Sequence, residues 1–192
     1  MASWTTIARR WRVPLGFVLA ALYLWLARPV WGSILLGGAV ALAGLALRAA
    51  ASGHITKNSA LTTTGPYAYT RNPLYLGSVL LAAGFALAAR SWWIALALVL
   101  MFALVYLPVV SGEEAYLRSR FPEFEDYMRR VPRFLPRLRK ARRESGARLF
   151  PDTVPGAFSR QLYLQHREYN AVLGTAAMMA ALIAKLLWLG RR

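Results

Sequence analysis

Apolar residues in this sequence form long runs, and most charged residues lie in the segments between them. Five runs approach the roughly 20 residues that a helix needs to cross a hydrocarbon core about 30 Å thick: 14–31, 33–51, 73–89, 92–111 and 171–189. A soluble protein with buried core helices is the alternative, but 192 residues would leave too little polar surface to cover five such helices. The pattern predicts an all-α, polytopic membrane protein with about five transmembrane helices, forming a single domain over residues 1–192.

Small residues recur within two of these runs at the spacing of a close helix contact. Gly37, Ala41 and Gly44 lie in the second run, and Gly77 and Gly84 lie seven residues apart in the third. Small side chains allow membrane helices to approach closely. We therefore expect helix packing at these positions rather than a ligand site.

The basic residues add an orientation to this picture. The net charge of +16 would suit a nucleic-acid-binding protein, but the Lys and Arg residues flank the apolar runs, with a dense group, RRVPRFLPRLRKARR, at 129–143. Helical membrane proteins place basic residues in this way to set their topology and to contact anionic lipid. We predict anionic headgroups near 129–143, no nucleic-acid partner, and a cytoplasmic N-terminus behind Arg9, Arg10 and Arg12.

With five spans in this orientation, segments 49–72 and 112–169 also face the cytoplasm, and the second holds thirteen of the 24 Lys and Arg residues. Two basic residues, Arg28 and Lys185, lie towards the side of the membrane opposite the cytoplasm in this orientation, where basic residues are less expected. Arg28, followed by Pro29, predicts that the first helix ends there. Lys185 lies near the end of the last run, which five spans would place on the outer side, and a basic residue fits that side poorly.

Residue types that are missing exclude several kinds of chemistry. The chain has no cysteine and two histidines, His54 and His166. Disulfides, thiol nucleophiles and thiolate metal sites are therefore excluded, and we predict no metal centre.

Two segments contain the candidate chemistry. The first, GPYAYTRNPLYLG (65–77), leads into the third run, with Asn72 placed to cap a helix that begins at Pro73. A helix start offers free N–H groups and a positive dipole end, which suit a ligand. A plain interfacial turn with tyrosine anchors is the alternative.

The second segment begins with Glu113 and Glu114, the first acidic residues in the chain. Adjacent residues on a helix point about 100° apart, so one carboxylate can face inward while the other meets solvent. An inward carboxylate near a membrane requires a cationic partner. An ordinary interfacial acidic pair is the alternative.

GPYAYTRNPLYLG, followed by this acidic pair and then by YMRRVP (127–132), resembles the isoprenylcysteine carboxyl methyltransferase family and, more distantly, the phospholipid methyltransferases of the same superfamily. The likeness covers about residues 45–135. It implies an all-helical membrane enzyme with a cytoplasmic S-adenosylmethionine pocket and a lipidic substrate that enters between helices. By position, it implies cofactor contacts at Ser59, Ala60, Leu61, Thr62, Tyr67, Asn72, Pro73, Leu74, Tyr75 and Glu113.

The chain departs from the family pattern at two positions. Asn72 replaces the usual histidine, so it provides a polar contact but no titrating imidazole. Val109 stands where the carboxyl methyltransferases have an arginine that is implicated in holding the substrate carboxylate. The methyl acceptor therefore stays open between a carboxylate, a phospholipid amine and another lipophilic group.

The resemblance implies roles for the remaining candidates. Glu113 would bind the cofactor's amino group or balance its sulfonium, and Arg71 would pair with its carboxylate or be structural. A neutral acceptor needs a proton acceptor, for which Glu114, Tyr127 and His54 are candidates. A sterol-reductase-like enzyme using NADPH and a non-catalytic membrane module are the competing hypotheses.

Overall fold

The computed structural model describes residues 18–55, 61–137 and 158–190. All regular secondary structure in these ranges is helical, which confirms the predicted all-α class. After helical residues 18–26 (α1), the elements are Trp31–Ser52 (α2), a 3₁₀ turn at Gly65–Ala68, Pro73–Ala89 (α3), Trp92–Met101 (α4), a π-helical turn at Phe102–Tyr106, Leu107–Arg120 (α5), Phe124–Arg130 (α6), Arg160–Gln165 (α7) and Tyr169–Leu189 (α8).

Within the described ranges, three helices are long and apolar enough to cross a membrane: Trp31–Ser52, the continuous helix Trp92–Arg120, and Tyr169–Leu189. α3 is also apolar but has only 17 residues. The first predicted run is described from residue 18, and its helix ends at residue 26. The count of five spans and the single domain over 1–192 therefore stay predictions.

α2 and α3 form an antiparallel pair whose backbones are in direct contact. A Cβ atom built on Gly37 would lie 2.4 Å from the carbonyl oxygen of Gly84, and one built on Gly44 would lie 2.7 Å from that of Gly77. Only a glycine hydrogen fits these gaps. The close contact that the small residues predict is confirmed.

The end of α1 is held by groups from α3 and α8. The backbone N–H of Arg28 donates to the carbonyl oxygen of Ala89 at 2.8 Å. The Lys185 ammonium donates to the carbonyl oxygens of Leu24 at 2.5 Å and Ala27 at 2.6 Å. The last carbonyls of a helix have no partner inside it. The break predicted at Arg28 is confirmed, and Lys185 caps the end of a neighbouring helix.

α4 and α5 are one helix, Trp92–Arg120, with the π-helical turn Phe102–Tyr106 inside it. Its 29 residues span about 44 Å, which exceeds the roughly 30 Å of a hydrocarbon core. The helix extends more than two turns beyond Ser111, where the predicted span ends, and the end of the span itself stays a prediction. The apolar run ends there, but the helix continues and presents Glu113 and Glu114 on a rigid extension.

A partly buried ion pair joins the end of α2 to the start of α8. Arg48, the only charged residue in α2, pairs with Glu168 at 2.8 Å between Nη2 and Oε2. Its Nη1 donates to the Ser78 hydroxyl of α3 at 2.5 Å. One guanidinium thereby links three chain segments at the predicted cytoplasmic interface. Sequence reasoning missed this pair, although a single cation in an apolar helix indicates a partner.

Candidate active site

The segment GPYAYTRNPLYLG folds as a 3₁₀ turn followed by the start of α3. Gly65 has a φ of +57°, which favours glycine, and Pro66 lies in the first turn of the 3₁₀ helix. The turn buries Tyr67, which is only 6% exposed. The segment therefore places one tyrosine in the interior just before the helix begins at Pro73.

Replacing Gly65 with alanine is expected to destabilise this turn. An added Cβ would lie 2.4 Å from Cδ2 of His54, and the positive φ is unfavourable for alanine by about 1–2 kcal/mol. Thermal unfolding in detergent measures the effect. Gly38→Ala is the control, because its Cβ would meet nothing within 4 Å. Equal melting temperatures for the two variants would contradict the prediction.

Asn72 occupies the N-cap position of α3, but its side chain makes no capping hydrogen bond. Its Nδ2 donates to Glu114 Oε1 at 3.1 Å and to the carbonyl oxygen of Arg133 at 3.2 Å. The prediction of side-chain capping is therefore wrong. The amide is oriented by a charged acceptor on α5, and bonds to charged groups are the stronger ones.

Glu114 is surrounded by cationic and amide donors. Its Oε1 lies 3.6 Å from Arg71 Nη1, its Oε2 lies 3.2 Å from Arg133 Nε, and its side chain is 15% exposed. Together with the Asn72 amide, these groups engage both carboxylate oxygens. This geometry favours a positioning role for Glu114 over the role of proton acceptor.

Residues 131–137, which we call the strap, lie along the loop that precedes α3. The backbone N–H of Arg71 donates to the carbonyl oxygen of Pro132 at 2.9 Å. The Thr70 hydroxyl donates to the carbonyl oxygen of Arg133 at 3.1 Å. These bonds join the YMRRVP motif to the GPYAYTRNP motif, although about sixty residues separate them in the chain.

Glu113 has a different neighbour from Glu114. Its carboxylate lies near the Tyr75 hydroxyl in the first turn of α3, and the residue is exposed. The two adjacent carboxylates therefore meet different surroundings. The divergence predicted from helix geometry is confirmed.

A cavity of about 350 Å³ lies between the Gly65–Ala68 turn and the extension of α5. Small-molecule sites in proteins typically have about 300–1,000 Å³. The apolar part of its lining consists of Ile55, Leu61, Leu117, Phe121 and Phe124. The remaining lining residues carry polar groups: Thr62, Tyr67, Arg71, Asn72, Glu113, Glu114, Tyr116 and Tyr127.

Half of the ten residues that the resemblance assigns to the cofactor line this cavity: Leu61, Thr62, Tyr67, Asn72 and Glu113. The predicted catalytic residues Arg71 and Glu114 line it as well. The first turn of α3 contains three more that do not line it: Pro73, Leu74 and Tyr75. Ser59 and Ala60 lie outside the described residues. The assigned roles stay predictions, although the structure brings most of these side chains together.

The hydroxyl of Tyr67 has no hydrogen-bond partner among the described residues. Burial raises the pKa of Tyr67, and the nearby Tyr127 and Glu113 act in the same direction. Burial also raises the pKa of Tyr127, whose hydroxyl donates to the Tyr67 carbonyl oxygen at 2.7 Å. Both phenols are therefore protonated at neutral pH, and within the part of the chain that the structure describes Tyr67 keeps an unused donor at the cavity wall.

The π-helical turn packs an aromatic cluster on the membrane side of Glu113. The Tyr75 and Tyr106 rings meet edge-on with centroids 5.8 Å apart. Phe102 stacks on Tyr106 at 5.8 Å and contacts Phe134 of the strap at 5.8 Å. Such turns occur frequently at functional sites. Sequence reasoning missed this cluster, because a π-helical turn leaves no signature in an apolar run.

The fold and the cavity define a class: a membrane protein, built of helices, with a cavity of small-molecule size between the Gly65–Ala68 turn and the extension of α5. The chain matches the family described as phospholipid methyltransferase over residues 11–123, more than half of its length. It belongs to this family. The resemblance predicted from the two motifs is thereby confirmed at the level of the superfamily.

Two relatives have names that refer to metal resistance. The chain is 39% identical over 145 residues to the cobalt-zinc-cadmium resistance protein CzcN of Cupriavidus metallidurans, a match covering 70% of this chain and 66% of that protein. It is 38% identical over 144 residues to the nickel-cobalt-cadmium resistance protein NccN of Alcaligenes xylosoxydans xylosoxydans, covering 70% and 67%. The chain thus spans just under two thirds of the first relative's length and about two thirds of the second's. No solved structure matches it.

Proposed function

We propose that the protein is an S-adenosylmethionine-dependent methyltransferase that acts on a lipidic or lipophilic acceptor at the cytoplasmic face of the membrane. Membership of the phospholipid methyltransferase family supports methyl transfer as the reaction. The observation that carries the proposal is the cavity, because residues of both motifs line it together.

The polar groups of the cavity suit a ligand that bears both charges and an aromatic base. Glu113 offers a carboxylate to an ammonium or sulfonium group. Arg71 Nε and the Tyr67 hydroxyl are buried donors without hydrogen-bond partners in the described residues, and a carboxylate would satisfy them. Leu117 and Phe121 offer an apolar wall for adenine. S-adenosylmethionine has all of these groups.

When bound, S-adenosylmethionine supplies an electrophilic methyl group. The protein's part is then to orient the two reactants and to exclude water. Tyr67 is suited to orienting the cofactor, since its phenol is protonated and buried. The chain needs no covalent nucleophile for this chemistry, which agrees with its lack of cysteine.

The three candidates for proton removal are engaged elsewhere. Glu114 is held by two arginines, and the Tyr127 hydroxyl donates to the carbonyl oxygen of Tyr67. His54 Nδ1 lies 2.6 Å from the carbonyl oxygen of Ala50, and the ring does not line the cavity. A methyl acceptor that reacts as an anion requires no proton acceptor. The geometry therefore favours an anionic methyl acceptor.

The alternatives concern both acceptor and cofactor. A phospholipid N-methyltransferase is the alternative within the family. Isoprenylcysteine carboxyl methyltransferase activity would lack the arginine that is implicated in holding the substrate carboxylate, because Val109 stands at that position. Val109 is also 47% exposed and does not line the cavity. An NADPH-dependent enzyme of the sterol-reductase type and a non-catalytic membrane module are further alternatives.

Calorimetry on the protein in nanodiscs is expected to show binding of S-adenosylmethionine and none of NADPH. Tyr67→Phe is expected to weaken cofactor binding about fivefold to tenfold, because one hydrogen bond contributes about 1 kcal/mol. Tyr69→Phe on the same turn is the control, since Tyr69 is 37% exposed. A folded protein that binds no S-adenosylmethionine refutes the proposal, and one that binds NADPH instead supports the reductase alternative.

The names of the two relatives suggest where to seek the acceptor. We propose metal-exposed cells as the setting, because both names refer to metal resistance. Methyl-labelled cofactor would be incubated with lipid extracts from cells grown with and without cobalt, and the labelled product identified. Label in no lipophilic product would contradict a lipidic acceptor. Among the described residues no cluster of three or more metal-ligating side chains is present, and the absence of a metal centre stays a prediction.

A further inference from the structure

We propose that Arg133 of the strap binds the methyl acceptor by an oxyanion, a carboxylate or a phosphate, while the acceptor's apolar part lies along Phe134 and Phe102. This inference rests on the proposed function and extends it to the acceptor. It assigns recognition to a residue outside the cavity lining and outside the positions that the motif resemblance assigns to the cofactor.

The guanidinium of Arg133 is held in place but keeps donor capacity. Its Nη2 donates to the Ser111 hydroxyl at 2.7 Å. Its Nε lies 3.2 Å from Glu114 Oε2 but makes no aligned hydrogen bond within the described chain. The side chain is 34% exposed. A guanidinium has five N–H donors in a fixed fork that matches a carboxylate or phosphate, so an approaching oxyanion finds donors unused.

The backbone of Arg133 is fixed independently of its side chain. Its carbonyl oxygen accepts hydrogen bonds from the Thr70 hydroxyl at 3.1 Å and from the Asn72 amide at 3.2 Å. Replacing the side chain therefore removes the guanidinium while leaving these strap contacts in place. This separation makes the proposal testable by substitution.

The charge of the loaded site favours an anionic acceptor. Arg71 and Arg133 carry two positive charges, and Glu113 and Glu114 carry two negative charges. Bound S-adenosylmethionine would add a sulfonium, an ammonium and a carboxylate, which leaves the group with a net charge of about +1, and such a charge is costly where water is excluded. An oxyanion on the acceptor would balance it. The engagement of the three candidate proton acceptors supports such an acceptor where the oxyanion is itself the nucleophile.

The surroundings of Arg133 also provide an apolar path. Its guanidinium carbon lies 5.7 Å from the centroid of the Phe134 ring, which contacts Phe102 in the π-helical turn at 5.8 Å. Phe102 belongs to the helix Trp92–Arg120, which is long and apolar enough to cross a membrane. An amphiphile can therefore place its charged group at Arg133 and its chain against these rings. Val109 of α5 cannot provide the cation that the carboxyl methyltransferases have at its position. Arg133 provides a cation from the strap instead, next to Ser111 and Glu114 of α5.

The test uses three probes with the same oleyl chain: oleate, oleoyl lysophosphatidic acid and oleyl alcohol. Each is titrated by calorimetry into the protein in phosphatidylcholine nanodiscs. We expect the wild type to prefer an oxyanion probe over the alcohol, and Arg133→Gln to weaken oxyanion binding by about tenfold to a hundredfold without changing alcohol binding. Whether oleate or lysophosphatidic acid binds more tightly identifies the oxyanion as carboxylate or phosphate.

Arg129→Gln is the matched control, because Arg129 is exposed in the same basic segment and the substitution removes the same charge. Equal losses in Arg129→Gln and Arg133→Gln overturn the proposal, since they indicate general surface charge. Equal binding of all three probes by the wild type also overturns it, whether or not the variant folds. Cofactor calorimetry on the same sample tests the proposed function separately, because the probe titrations are read with and without S-adenosylmethionine.

Discussion

Replacing Glu113 with glutamine is expected to weaken S-adenosylmethionine binding by about tenfold to a hundredfold while leaving the fold intact. A hydrogen bond to a charged group contributes about 1.5–3 kcal/mol, and the proposed partner of Glu113 is the cofactor's cationic part. Within the described residues, Glu113 is the one carboxylate that lines the cavity without an arginine partner. Because Glu113 is exposed in the free protein, we expect the fold to tolerate the loss of its charge.

Two acidic variants provide the comparison for Glu113→Gln. Glu125→Gln removes the same charge from an exposed pair with Arg118, 2.7 Å long and outside the cavity, and is expected to leave cofactor affinity unchanged. Glu114→Gln is expected to lower the melting temperature, because it weakens the links to Arg71 and Arg133. Unchanged cofactor affinity in Glu113→Gln would place the cation-binding group elsewhere.

The sequence predicted the parts of the fold that depend on local physics. α3 begins at Pro73 and ends at Ala89, as the apolar run indicated, because proline favours the first turn and polar residues flank the run. The small residues predicted close helix packing, which the structure shows between α2 and α3, since few other side chains allow such a distance. The helix break near Arg28 followed from the proline after it.

The parts that sequence reasoning missed depend on contacts between distant segments. Nothing local indicates that Glu114 rather than Glu113 would meet Arg71 and Arg133, because this depends on where the strap crosses α5. The capping role expected for Asn72 failed for the same reason. The extension of the fourth helix to Arg120 was not predicted, because hydropathy reports where the apolar run ends, whereas the helix continues into polar residues.

In the candidate site, too, the sequence predicted what depends on local motifs and missed what depends on contacts between distant segments. The motif residues could be named from the sequence, and the structure gathers Tyr67, Asn72 and Glu113 around one cavity. What the sequence could not indicate is the difference between a free and an engaged group of the same type. That difference separates Glu113 from Glu114, and it makes Tyr67 a buried donor with no hydrogen-bond partner among the described residues.

Gly37→Val is expected to prevent α2 and α3 from packing against each other. The Cβ alone would lie 2.4 Å from the carbonyl oxygen of Gly84 and 2.6 Å from the backbone nitrogen of Ala88. Both obstacles are backbone atoms, so no side-chain rotation can relieve the clash. Overpacking typically costs about 1–3 kcal/mol, and we expect at least the upper end here, seen as low yield and a lower melting temperature in detergent.

Gly38→Val is the matched control, because it adds the same side chain to the next residue of the same helix. A Cβ on Gly38 would meet nothing within 4 Å, so this variant is expected to fold with a near-native melting temperature. Similar behaviour of the two variants would show that helix propensity, and not the contact with α3, decides the outcome. The Gly37 variant should also lose cofactor binding, since a displaced α3 carries Tyr75 away from Glu113 and changes the contact between Asn72 and Glu114.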